Sequence, residues 1–504
     1  MGNWGPLIDG FAVALSPQNL LLVLVGSVLG TIVGILPGLG PTAGISILLV
    51  VTSTLDPIPA IIMLAAIFYG ASYGGSTTSI LMNIPGEVSS VVTCIDGHQM
   101  ARQGRAAQAL AIAAISSFVA GTVGVIALTF FAPALADIAL SMGPPEIFGL
   151  IIFSFTMVAS MAGASLLKGV TSAAFGMMIC LVGMDPTSGV PRFTFDSITL
   201  LGGFDLIAVL MGLFAIKEVF KTVGEEKLSI SDVALPPWYR MISFREIVQC
   251  IPAIFRSSAL GFPLGCLPGI SPGLVTFLAY DFEKKVSRNS GNFGKGAIEG
   301  VASPEGANNA CASGGFVPLL ALGIPPHASL AVLMGGLMVY GLQPGPLIFQ
   351  KQPEFVWAVI ASMYIGNVAL LVLNLPLVGL WAKIAKVPYY YIGPVILLAC
   401  FIGVYTVRHS YFDVWVCLAF GIIGFLLEKA DIPVLPLVLA LVLTPMLEDA
   451  MRQSMAMGAG SLAVLFDRPI ALTFIGLAVV ALAVSLYVRF RFHNALKASQ
   501  IESA

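Results

Sequence analysis

Two copies of a proline–glycine motif, each interrupting a strongly apolar run, constrain this chain more than any other feature. The first reads Gly34-Ile35-Leu36-Pro37-Gly38-Leu39-Gly40-Pro41, and 231 residues later comes Gly265-Cys266-Leu267-Pro268-Gly269-Ile270-Ser271-Pro272. Gly30 and Gly261 precede the two copies at the same distance, with no gap between the alignments. Proline removes a backbone donor and breaks a helix, while glycine admits unusual backbone angles. Non-helical backbone at membrane depth is tolerated only where protein buries it or it lines a polar cavity. Two such breaks, one in each half, are the sequence mark of a binding site in a repeat-built carrier.

The apolar setting is not local. Hydrophobic residues make up 58% of the 504 and charged residues 10%, against about 25% charged in a soluble domain. The predicted fold class is therefore an all-α polytopic membrane protein. Net charge is −2 with no basic run, which argues against nucleic acid as a partner and leaves membrane lipid as the surrounding solvent. The seven cysteines lie singly, with no CxxC and no Cys/His cluster, so neither a disulfide scaffold nor a metal site is expected. The first apolar run lacks a basic flank and is expected to stay in the protein.

Charge and length suggest how the runs are threaded. Residues 1–101 contain no Lys or Arg; Arg102 and Arg105 are the first, and Lys217, Lys221, Lys227, Arg240 and Arg245 follow between the halves. By the positive-inside rule these segments are cytoplasmic and the N-terminus is external. Arg256 and Lys284 then face one side while flanking only Ser257–Tyr280, too short to cross about 30 Å twice at about 1.5 Å per residue. The second motif is thus read as the tip of a re-entrant hairpin from the cytoplasm. The first, within 20–55, would enter from outside, and 58–83 would cross. Two inverted-topology repeats follow, each with a re-entrant hairpin and broken helices. The boundaries are a first repeat at 1–216, a basic cytoplasmic linker at 217–247, a second repeat at 248–488 and a C-terminal tail at 489–504. In the second half, a last span at 469–488 would place Arg489, Arg491 and Lys497 outside, so either one span is miscounted or Lys383 and Lys386 are misplaced.

Polar residues gather beside the breaks. Gly74-Gly75-Ser76-Thr77-Thr78 is expected to open a half-helix whose free amides and dipole would hold a carboxylate, with Gly306-Ala307-Asn308-Asn309 as its counterpart. Asn83–Gly86 is likewise paired with Gly323–Pro326. The substrate-binding set is Pro37, Gly38, Leu39, Gly40, Thr42, Ser76, Thr77, Thr78, Gly269, Ile270, Ser271, Asn308 and Asn309. Glu305, with Ser303 and Asn308, is the candidate coupling-ion site, since an intramembrane carboxylate is a functional hypothesis by default. Glu87 is expected to be loop-exposed, and His98 and His327 to be packing histidines. No Lys or Arg lies within either motif, so an anion would be held by amides, hydroxyls and helix ends.

With these motifs in view, the chain resembles the large membrane subunit (TctA-like) of the tripartite tricarboxylate transporter family. The resemblance rests on Gly30–Pro41, Tyr69–Glu87, Asp96–Ala106, Gly265–Pro272, Phe293–Asn309, Gly323-Ile324-Pro325 and Gly341–Pro346. It departs at Pro326-His327, where a small glycine-containing step is expected, which marks His327 as a residue that could tune solute preference. The resemblance implies a multi-pass protein of the bacterial inner membrane importing citrate-like carboxylates. It implies Na⁺ or H⁺ as coupling ion, no other cofactor, a small membrane subunit (TctB-like) and a periplasmic solute-binding protein (TctC-like). A passive anion channel with the tips as its filter is the alternative. An enzyme is disfavoured, because no Walker, HExxH or GxSxG pattern is present.

Overall fold

The computed structural model describes residues 4–36, 38–161, 165–222, 236–384 and 389–502. Pro37, part of the linker (223–235) and Lys386 lie outside the described residues. The described chain is almost wholly helical; its only strands are Gly183–Met184 and Pro191–Arg192, an antiparallel pair. Among the described residues, nine helices are long and apolar enough to cross a membrane.

The helices form two compact units. The first comprises Met1–Asp137 and Ile207–Phe425, and the second Ile138–Leu206 and Leu426–Ala504. In the first unit, helices Pro57–Met82 and Glu299–Leu322 are buried along nearly their whole length and around their whole circumference. Neither helix presents a face to solvent, and other helices cover both, polar residues included. Both proline–glycine copies lead into this core. Helix Pro17–Ile35 packs along Pro57–Met82, and helix Phe244–Gly265 along Glu299–Leu322.

The same glycines make both contacts possible. A Cβ on Gly30 or Gly34 would fall 2.4 Å from Ile67 O or 2.1 Å from Ala71 O. On Gly261 or Gly265 it would fall 2.4 Å from Ala307 O or 2.3 Å from Cys311 O. Only small residues let backbones approach so closely. The partners also set the internal register: 67 matches 307 and 71 matches 311, so the long helices correspond at a spacing of 240. Gly74 and Gly314 obey it too, packing on Thr31 O and Phe262 O. The pairing of Gly74–Thr77 with Gly306–Asn309 read from composition is therefore out of register by eight residues. That of Asn83–Gly86 with Gly323–Pro326 is in register.

The second hairpin is longer than its apolar run. Its arms are Phe244–Gly265 and Pro272–Val286, with Ser243 and Glu246 capping the first. Arg256 lies within the first arm and ties it to the second, donating to Glu283 through Nε and Nη2 at 2.9 and 2.6 Å.

The second unit joins helices Pro144–Met161, Leu166–Cys180, Val434–Met457 and Pro469–Glu502. Lys168 Nζ donates to Ala430 O at 2.6 Å. Arg452 bridges Asp185 and Glu448, and Glu448 also takes Arg192 at 2.7 Å. The Ser188 hydroxyl and Arg452 hold the Asp185 carboxyl well below the usual carboxylate range.

Candidate functional site

Each motif builds a sharp turn between two helices. Helix Pro17–Ile35 ends, Gly38 adopts φ +88° and Gly40 φ +58°, and helix Gly40–Thr52 begins. In the second copy Gly269 adopts φ +85°, and Ser271 caps helix Pro272–Val286 by accepting from Leu274 N–H at 3.3 Å. Gly38 and Gly269 thus hold matching left-handed positions, which side chains rarely adopt. Leu39 and Ile270 are buried beside them.

The two turns close on matching loops. Helix Pro57–Met82 ends at Asn83 (φ 57°) and helix Glu299–Leu322 at Gly323 (φ 70°), both left-handed caps. After Ile84-Pro85-Gly86 and Ile324-Pro325-Pro326, new helices start with Glu87 and His327 as extended N-caps. Gly269 N–H donates to Pro326 O at 2.9 Å. Thr42 Oγ1 lies 2.7 Å from Ser329 Oγ. Both tips therefore bond to the four-residue stretch 326–329. Conversely, Gly273, the residue matching Thr42, abuts Val88, where a Cβ would sit 2.8 Å from Val88 Cγ1. Each outgoing arm reaches the loop of the other half.

The polar residues line the core beneath. Glu305 is 2% exposed, held inside its helix and not at a solvated end; Thr93 Oγ1 donates to Oε1 at 2.5 Å and Ser117 Oγ to Oε2 at 3.3 Å. Asn308 Nδ2 donates to Ser72 O at 3.2 Å and to Glu87 Oε1 at 3.1 Å. Asn309 Nδ2 donates to Glu305 O at 3.1 Å, while its buried Oδ1 has no partner among the described residues. Ser303 turns away, donating to Ala279 O at 3.1 Å, and so does not meet the Glu305 carboxylate. Asp96 holds this corner together: its carboxylate accepts from Gly294, Gly296 and Ala297 N–H and from Tyr280 OH. That clamp fixes the helix carrying Thr93 against the start of the helix carrying Glu305.

The half-helix expected after Gly74-Gly75 does not exist. Helix Pro57–Met82 runs unbroken through them. Ser76 bonds Tyr73 O and Thr78 bonds Gly75 O, at 2.7 and 3.3 Å; Thr77 is buried alongside. The glycines serve close packing, and the helix N-termini beside the tips are those at Gly40, Pro272 and Ala328.

Glu87, Thr93 and Ser117 were not in the expected set. Glu87 is half-buried, not loop-exposed, and accepts from Ser89 Oγ and Asn308 Nδ2. Its signal was available, since it follows Pro85-Gly86 as His327 follows Pro325-Pro326. Among the described residues, neither Glu87 nor Glu305 forms an ion pair. At the first tip, Gly38 instead faces Glu218, whose Oε1 would lie 2.9 Å from a Cβ there.

Residues 20–439 match the family model described as "Tripartite tricarboxylate transporter TctA family". The chain is 44% identical over 485 residues, 95% of its length and 96% of the relative's, to an Agrobacterium vitis protein described as "Uncharacterized 52.8 kDa protein in TAR-I ttuC' 3'region". It is also 42% identical over 231 residues to "Uncharacterized protein in TAR-II ttuC' 3'region" of the same organism, 46% of this chain and 96% of that one. No solved structure matches. The apolar helices and the family match make this a multi-pass membrane protein and a transporter subunit, and the chain belongs to the TctA family of tripartite tricarboxylate transporters.

Proposed function

We propose that the protein is the membrane carrier of a secondary active system that imports tricarboxylates or related organic acids across the bacterial inner membrane. A periplasmic binding protein would deliver the solute and a small membrane subunit would complete the assembly. The observation that carries this reading is the meeting of both tips on residues 326–329. The turn at Gly269 and the first turns of helices Gly40–Thr52 and Ala328–Val339 meet there, and the N-terminus of a helix binds a carboxylate without a basic side chain.

Coupling follows from charge. Glu87 accepts from Asn308, and Glu305 lies one helical turn before Asn308 on the same helix; neither carboxylate has a Lys, Arg or His paired to it among the described residues. An uncompensated charge in a low-dielectric interior costs several kcal/mol, and an anionic solute beside two carboxylates would add repulsion. Na⁺ or H⁺ neutralises them, and a cation therefore accompanies the solute. Thr93, Ser117 and the Asn309 amide oxygen supply the neutral oxygens such a cation needs.

The reciprocal contacts Thr42 with Ser329 and Gly273 with Val88 are what a two-fold relation between halves produces. Combined with the charge bias of the loops, they favour inverted repeats over 1–216 and 248–488 and an alternating-access cycle in which the hairpins carry the solute. Citrate uptake into sealed proteoliposomes tests this. A carrier accumulates citrate above the external concentration when an inward Na⁺ or H⁺ gradient is imposed, whereas a channel only equilibrates it.

A further inference from the structure

The matched register compares the two halves residue by residue, and at one pair they differ in kind. Glu87 and His327 occupy the same position, as extended N-caps after an Ile-Pro turn, with φ −142° and −148°. Both side chains lie over a bare glycine of the preceding helix. A Cβ on Gly75 would meet Glu87 Cγ at 2.8 Å, and one on Gly315 would meet His327 Nε2 at 3.3 Å. Each also receives a residue from the other half at a matching position, Asn308 onto Glu87 and Phe68 onto His327.

The chemistry is opposite. In the first half the chain's own carboxylate stands at the helix start and takes the Ser89 hydroxyl two residues on. In the second half the N-cap is an imidazole, 3% exposed and stacked on Phe68 with centroids 5.7 Å apart. Its side chain makes no capping bond, and Nε2 has no partner among the described residues. The helix that follows, Ala328–Val339, is 12 residues long, and its first-turn amides have no intrahelical acceptors. A buried polar atom without a partner is costly and calls for one. The group that satisfies a helix N-terminus and an imidazole N–H together is a carboxylate, and the first half shows one in the matching place.

We infer that His327, with Ser329 and the first-turn amides of helix Ala328–Val339, is the subsite for one carboxylate group of the solute. The repeats divide the work: the Glu87 side takes the cation and the His327 side takes the anion. This rests on the carrier reading above and adds the orientation of the solute within it. Closure of the two tips on 326–329 then covers the bound carboxylate, because Thr42 touches Ser329 and Gly269 bonds Pro326.

The test is citrate binding to the purified full-length chain in detergent with Na⁺ present, for wild type, His327→Gln, His327→Leu and His327→Glu. Gln retains an N–H donor and is expected to bind within a few-fold of wild type. Leu removes the donor and is expected to weaken binding by about 10- to 100-fold, the range for a hydrogen bond to a charged group. Glu places in the second half the carboxylate that the first half carries, and is expected to abolish citrate binding while gel filtration stays monodisperse. If His327→Leu and His327→Glu bind citrate as wild type does, the subsite is wrong and the carrier reading stands. If wild type binds neither citrate nor succinate, the carrier reading itself fails. Should Leu not assemble, the contrast between Gln and Glu decides.

Discussion

Thr42 and Ser329 are 287 positions apart in sequence, yet their hydroxyl oxygens lie 2.7 Å from one another. One belongs to the outgoing arm of the first hairpin, the other to the first turn of a helix in the second half. Together with the Gly269–Pro326 bond, this contact brings two distant motifs to one place. A set of consequences can be measured.

Gly38 and Gly269 should not tolerate side chains. Their φ values of +88° and +85° cost an L-residue about 1–2 kcal/mol, and at Gly38 a Cβ would also press on Glu218 Oε1. Gly38→Val and Gly269→Val are expected to reach the membrane in normal amounts and to lose uptake. Normal transport by both would remove the tip assignment.

Glu305→Gln and Glu87→Gln should each change ion dependence. Each replaces a carboxylate by a neutral group of the same shape, so one fewer cation is needed per solute. The ion gradient that wild type uses should drive less accumulation in either variant, read as the steady-state citrate ratio at fixed Na⁺ or H⁺ gradient. An unchanged ratio in Glu305→Gln would discard its coupling role.

Gly34→Ala and Gly265→Ala should destabilise the first unit. Each new methyl would overlap a backbone carbonyl, at 2.1 Å from Ala71 O and 2.3 Å from Cys311 O. Helix separation of this kind costs about 1–3 kcal/mol. Lower unfolding temperatures in detergent are expected for both, with Gly291→Ala, where nothing lies within 4 Å, as the unaffected control.

Asp185 should make the second unit acid-sensitive. Its carboxyl is held below the ordinary value by Ser188 and Arg452, so its stabilisation is fully present above the unfolded value of about 4. As pH falls through the lower folded value, that contribution disappears. Asp185→Asn is expected to flatten the acid limb of a stability–pH curve, and an identical limb in both proteins would exclude the linkage.

Much of this was legible in sequence, for physical reasons that also explain what was not. The tips could be found because proline and glycine inside apolar runs have few other uses, and Glu305 because a carboxylate there is expensive. Gly74-Gly75 misled because glycine in a membrane helix serves close packing as readily as breakage. Gly74 packs closely on Thr31 and Ile35, and the helix runs through it without a break. The Arg256–Glu283 pair was not legible because its partners stand 27 positions apart and only the hairpin brings them together. Glu87 was legible in principle, since the pairing of Asn83–Gly86 with Gly323–Pro326 sets it opposite His327, but its half-buried place depends on Ser89 and Asn308, which only the fold brings to it.

On the carrier reading, the first tip and the start of helix Ala328–Val339 form one site that moves with transport. Thr42→Cys with Ser329→Cys, in a chain whose seven native cysteines are replaced, tests it directly. Mild oxidation is predicted to join the two cysteines and stop citrate uptake, with reduction restoring it. A pair that will not crosslink, or a crosslinked protein that transports as before, would contradict it.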